Sequence, residues 1–352
     1  MARDLTRREF GRRVLAAGAL GAVAGVPAIV RAQQARELVI VSFAGALQEP
    51  HRWLADRIEK RHPGLRIRLV PSESQDIVAQ IKAAQGYSPY DAMPNGEPPH
   101  LIGIRERYIQ PVRKELIPNY ANVYPEFVTK SQGYGVPASY SLIGIAYNDK
   151  LIKTPPLAWT DLWRPEFKGQ VGIPRTSSNL GLGVLAIVAK QFGGAEDNLQ
   201  PGWTKLKELD ARVARTPTQL IQMLEREEVA IAPVWNNDAA TAADKGLPIK
   251  FVKPTPGPVA IISFMSEITN TRQQALVAEW MNDILSAEYQ AFAANKPYFF
   301  GPTVRNVTVP EAAKPYTPST PAEVLALQTI DWAKIAPVRG QLVEQFDRLF
   351  AQ

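Results

Sequence analysis

The segment VWNNDAATAADKG, 234–246, sets an indole, two amides and a carboxylate where an apolar run ends. The run before it, VAIAP at 229–233, reads as a buried strand, and AATAAD at 239–244 as the first turns of a helix. Asn236 or Asn237 can cap that helix. Trp235 and Asp238 then offer a flat π-face and a negative charge, a pair that suits an organic ammonium. The competing reading is a capped helix with a packed indole.

Other candidates stand at comparable places. Ser42, Phe43 and Gly45 follow a first apolar run; Gly45 permits a tight turn, and Phe43 either faces a crevice or completes a core. Asn95, Gly96 and Glu97 precede two prolines, so Glu97 either complements a helix dipole or meets a ligand. Ser177 and Ser178, within Thr176–Asn179, open a further helix, as ordinary caps or as donors to a carboxylate or phosphate. Tyr140 and Phe264 fall where the chain crosses between two sets of elements, as hinge packing or as walls of a site.

Other chemistry finds little support. The three histidines, His51, His62 and His100, show no zinc-ligand spacing. No nucleophile elbow, phosphate-binding Gly loop or dinucleotide fingerprint occurs, so neither a metal nor a cofactor is expected. With no cysteine there is no thiolate chemistry and no disulfide. A spatial triad can hide in a sequence, which leaves a secreted enzyme on the same architecture as the alternative function.

The elements that must position these residues alternate. Strands are expected at 37–43, 65–71, 90–94, 141–148, 212–215, 229–234 and 249–253, with helices at 48–62, 73–85, 180–192, 202–209, 218–226, 272–286, 287–294 and 338–350. This is an α/β chain of two Rossmann-like lobes joined by a hinge of two crossings, near 135–141 and 255–264. The expected division is 33–138 plus about 262–305 for the first lobe and 139–261 plus about 306–352 for the second. Open α/β sheets bind ligands beyond the carboxyl ends of their strands, where the candidates fall.

Residues 1–32 read as an export signal: a basic start, an apolar stretch from Val14 to Val30, and cleavage after Ala32. Thr6-Arg7-Arg8-Glu9-Phe10 fits a twin-arginine address read by the export machinery. No later run approaches the ~18 apolar residues of a membrane span, so a soluble periplasmic protein is expected. The formal charge of +6 is mostly the leader's: six arginines against Asp4 and Glu9 leave the mature chain near +2. Nucleic acid is not an expected partner.

The segments SLIGIAYNDKLIKTPPLAWTDLWRPEFKGQVGIP and VAIAPVWNNDAATAADKGLPIKFVKPTPGPVAIISFMSEITNT resemble the periplasmic substrate-binding proteins of ABC importers, closest to the spermidine/putrescine-binding group. The resemblance implies the periplasmic binding protein-like II fold and a monomeric receptor that closes on a small ligand and docks on permease subunits. In polyamine-binding members aromatics sandwich the methylene chain and carboxylates take the ammonium ends. Phe43 and Trp235 match the aromatics in kind and Asp238 a carboxylate, with Glu97 the one other acid in a suitable place. The expected ligand is cationic or zwitterionic, polyamine-like or amino-acid-like, and the expected role is transport rather than catalysis.

Overall fold

A computed structural model of the chain describes residues 36–43 and 45–350. Residues 1–32, where an export signal is expected, lie outside the described residues. Nine strands are described: β1 (Arg36–Ser42), β2 (Leu65–Pro71), β3 (Ala92–Gly96), β4 (Val136–Asn148), β5 (Gly172–Pro174), β6 (Arg212–Ala214), β7 (Ile231–Trp235), β8 (Ile249–Val252) and β9 (Val259–Glu267). Seven form one sheet in the order β2-β1-β3-β9-β4-β7, with β8 also on β4; β5 and β6 pair separately.

β1, β2 and β3 run parallel, each joined to the next through a helix. Leu38 and Ile40 of β1 are fully buried, as a run of aliphatics covered on both faces should be. β2 is the outer strand. Its main chain is closed off at Ile67, whose N–H donates to Glu59 Oε1 at 2.6 Å and whose carbonyl accepts from Arg52 at 3.1 Å. A blocked edge of this kind resists pairing with another chain.

β4 and β9 hold the molecule together. They pair antiparallel from Val136↔Met265 to Ile143↔Val259. β4 begins five residues earlier than the apolar pattern predicts, despite Pro137, because a bulge between Pro137 and Ser139 accommodates the ring. Along β4, Val136, Ala138, Tyr140 and Leu142 pack in one hydrophobic core, and Ile143, Ile145 and Ala146 in another. β9 likewise gives Ile262 and Phe264 to the first core and Val259 and Ile261 to the second. The C-terminal tail adds a third passage, from Val304 and Val324 in the first core to Ile330, Trp332 and Phe346 in the second. Among the described residues no helix is long and apolar enough to cross a membrane.

Candidate functional site

A cavity of about 370 Å³ opens where the two cores meet. That is near the lower end of small-molecule sites, which run from about 300 to 1,000 Å³. Phe43, just past β1, lines it and packs on the first core; Trp235, at the end of β7, lines it and packs on the second. Its floor is the crossing strands, through Ser141 of β4 and Ile261 and Ser263 of β9. Residues 261 and 263 share one face of β9 by the two-residue strand period, whereas Ile262 and Phe264 turn into the first core.

Helix starts complete the wall. Ser74 and Gln75 open helix Ser74–Ala83, Gly96 precedes helix Glu97–Arg105, Asn179 opens helix Asn179–Gln191, and Asn237 is second in helix Asn236–Asp244. Strands that end at the cavity feed helices that begin there, so first-turn N–H groups gather around one space. Among the described lining residues Glu73 alone is ionisable. Burial, and then the charge of Asp76, raise its carboxyl above the ordinary range.

Of the residues expected to form the site, Phe43, Trp235 and Asn237 come together. Asp238 does not join them. It lines a separate groove of about 480 Å³ between helices Pro217–Glu225 and Asn236–Asp244, beside Ile221 and Leu247. Burial pushes its carboxyl up to about 6. Residues 235 and 238 lie on either side of a strand-to-helix corner, so adjacency in sequence did not place both side chains in one space.

Tyr140 and Phe264 are fully buried in the first core, where Phe264 stacks on His100 with ring centroids 4.3 Å apart. Ser42 is fully buried, and its Oγ shares a 2.7 Å hydrogen bond with His51 Nδ1. Asn95 is also buried, opposite Phe264 in the β3–β9 register, and neither end of its amide has a partner among the described residues. Gly45 takes the turn expected of it, at φ +88°. Glu97 is buried on the far side of its helix start, in a small cavity with His100, Lys130 and Trp332. Ser178 caps its helix, accepting from Gly181 N–H at 3.1 Å. Ser177 is exposed, and its carbonyl accepts from Arg339.

The lining residues absent from the expected set are Glu73, Ser74, Gln75, Gly96, Pro99, Ser141, Asn179, Ile261 and Ser263. Serines set into otherwise apolar strands, ASYSLIGI and AIISFMSE, were the available signal for Ser141 and Ser263, shared with Ser139 and Ser266. Ser74 at the head of an amphipathic helix reads as a cap.

Residues 103–335 match the model of a family described as bacterial extracellular solute-binding protein. A spermidine/putrescine-binding periplasmic protein of Escherichia coli is 22% identical over 255 residues, covering 69% of this chain and 72% of its own. An extracellular solute-binding protein from Bordetella parapertussis superposes with a TM-score of 0.80 at 24% identity, over 89% of this chain and 98% of that one. The spermidine/putrescine ABC transporter substrate-binding protein of Streptococcus pneumoniae does so with a TM-score of 0.74 at 19% identity, over 89% and 99%.

Proposed function

This chain belongs to the bacterial extracellular solute-binding protein family, and on that footing we propose that it is a periplasmic receptor that takes one small organic solute between two lobes and delivers it to an ABC importer. The observation that carries the reading is the cavity where the two cores meet, with Phe43 on one side and Trp235 on the other. Two aromatic faces set on different cores grip a solute only when the cores approach each other, which couples binding to closure. The crossing strands β4 and β9, with the tail as a third tether, are where the rotation is absorbed.

The relatives' names mention polyamines. Here the cavity wall is serine, asparagine and helix starts with a single acidic side chain, which favours the amino-acid-like half of the expected ligand range. The protein works as a monomer, is exported by the twin-arginine route, and transports without chemical change to the solute.

The reading is tested by thermal shift and tryptophan fluorescence on the full folded protein. The panel comprises amino acids, aminoalkylphosphonates, organic phosphate monoesters, diamines and polyamines. At least one class is expected to raise the melting temperature and change the fluorescence, and Trp235→Ala to weaken that response at least tenfold. A wild-type protein indifferent to the whole panel, or a response untouched by Trp235→Ala, counts against it.

A further inference from the structure

The helix starts around the cavity differ in how they are finished. Helix Asn179–Gln191 is capped by Ser178, but helices Ser74–Ala83, Glu97–Arg105 and Asn236–Asp244 have no side-chain cap. First-turn N–H groups without a cap need another acceptor, and together with the helix dipole they favour a negative charge. In helix Glu97–Arg105, Pro98 and Pro99 remove two of those donors. The ends of Ser74–Ala83 and Asn236–Asp244 remain, on opposite sides of the cavity.

A second observation comes from Ser74. The residue is only 5% exposed, yet it lines the cavity, and among the described residues its hydroxyl makes no hydrogen bond. A hydroxyl that borders the cavity and is not engaged by the protein is free to donate to a ligand there. Behind the opposite wall, the half-buried Arg339 guanidinium donates to Asn179 Oδ1 at 2.8 Å, placing a fixed positive charge one residue back from the space.

From these contacts we infer that the solute carries an acid anion, a carboxylate, phosphonate or phosphate, seated on the uncapped start of helix Ser74–Ala83 with the Ser74 hydroxyl as its side-chain donor. The inference rests on the receptor reading and narrows it. The rest of the solute faces Trp235 and the Asn237 amide, whose buried oxygen has no partner among the described residues and accepts from an amino or hydroxyl group. A diamine would bring two ammonium ends to a wall of N–H donors and hydroxyls, with Glu73 at the rim as its one carboxylate.

Calorimetric titration of the folded protein with 4-aminobutyrate, 3-aminopropylphosphonate, glycerol 3-phosphate and putrescine tests this, with Ser74→Ala and Ser74→Asp as variants. An acid in the first helical turn complements the dipole, which offsets part of the cost of a carboxylate at a position 5% exposed; with folding verified by its melt, S74D should repel an anionic ligand. The expected result is binding of at least one acid-bearing compound, at least tenfold weaker binding of putrescine, a several-fold loss in S74A and a loss of about 100-fold in S74D, as like charges in a desolvated site give. The three acids separate the carboxylate, phosphonate and phosphate sources. Putrescine binding that needs Trp235 and is kept or strengthened by S74D overturns the inference and leaves the receptor reading standing. Binding of none of the four to wild type overturns the inference, and the receptor reading falls only if the wider solute panel is also silent.

Discussion

Trp235 and Asp238 stand three residues apart at one strand-to-helix corner and face different spaces: the indole lines the cavity where the cores meet, and the carboxylate lines the groove between helices Pro217–Glu225 and Asn236–Asp244. Two residues that look like one binding pair in sequence are therefore separable by mutation.

Asp238→Asn should leave solute affinity within about twofold while changing stability with pH. Burial raises the Asp238 carboxyl from 3.8 to about 6, so between those values the folded protein holds a proton that the unfolded chain has released. Stability contributed by this group is present below pH 3.8 and lost as pH rises through 6. The asparagine variant should match wild type at pH 3.5 and exceed it by about 1 kcal/mol at pH 8, a figure reduced for the groove's access to water and the favourable helix dipole. Urea melts at the two pH values decide the point.

Glu97 gives a larger effect of the same sign. It is buried, its Oε2 has no partner among the described residues, and burial pushes its carboxyl up to about 7. Lys130 and the Trp332 indole favour the charged form, but Trp332 falls short of hydrogen-bond geometry. Wild-type stability should therefore fall by about 2–3 kcal/mol between pH 4.5 and pH 8 on account of this group. Glu97→Gln should flatten that slope; an unchanged slope would mean that the carboxyl is charged throughout.

Asn236 ties the second core to the crossings. Its Oδ1 accepts from Leu142 N–H at 2.8 Å, its Nδ2 donates to the Phe299 carbonyl at 2.9 Å, and the side chain is fully buried. Asn236→Ala strands both main-chain groups and should cost about 2–4 kcal/mol in urea unfolding. A cost under 1 kcal/mol would show that water replaces the clasp.

Much of the architecture was legible in the chain. Strand ELVIVSF and the run VAIAPV announced themselves by continuous aliphatics, and the rule that ligands lie beyond strand ends pointed to Phe43, Trp235 and Asn237. The same rule also pointed to Ser42, and the chain crossings to Tyr140 and Phe264, all three of which are buried in the interior. β4 and β9 pass between two cores, so each has positions that face the cavity and neighbours that face a core. Periodicity shows that the faces alternate but not which one borders the opening. Glu97 and Asp238 misled for another reason: a carboxylate in a first helical turn looks the same whether a ligand, a groove or a buried pocket lies beside it.

Tyr140→Phe should leave binding unchanged and stability within about 1 kcal/mol, since the ring is fully buried and its hydroxyl has no hydrogen-bond partner among the described residues. Gly301→Ala tests the same packing from the other side. A β-carbon there would stand 2.0 Å from Tyr140 Cε2, and such overpacking should cost about 1–3 kcal/mol or more. Chemical denaturation measures both; a tolerated G301A would mean that the ring can shift.

Mass spectrometry under non-denaturing conditions, on protein isolated in its folded state without refolding, tests the central claim most directly. Wild type should carry one small acid-bearing solute per chain, and Phe43→Ala/Trp235→Ala should carry none. The same solute retained in full by the double variant would contradict a site between Phe43 and Trp235.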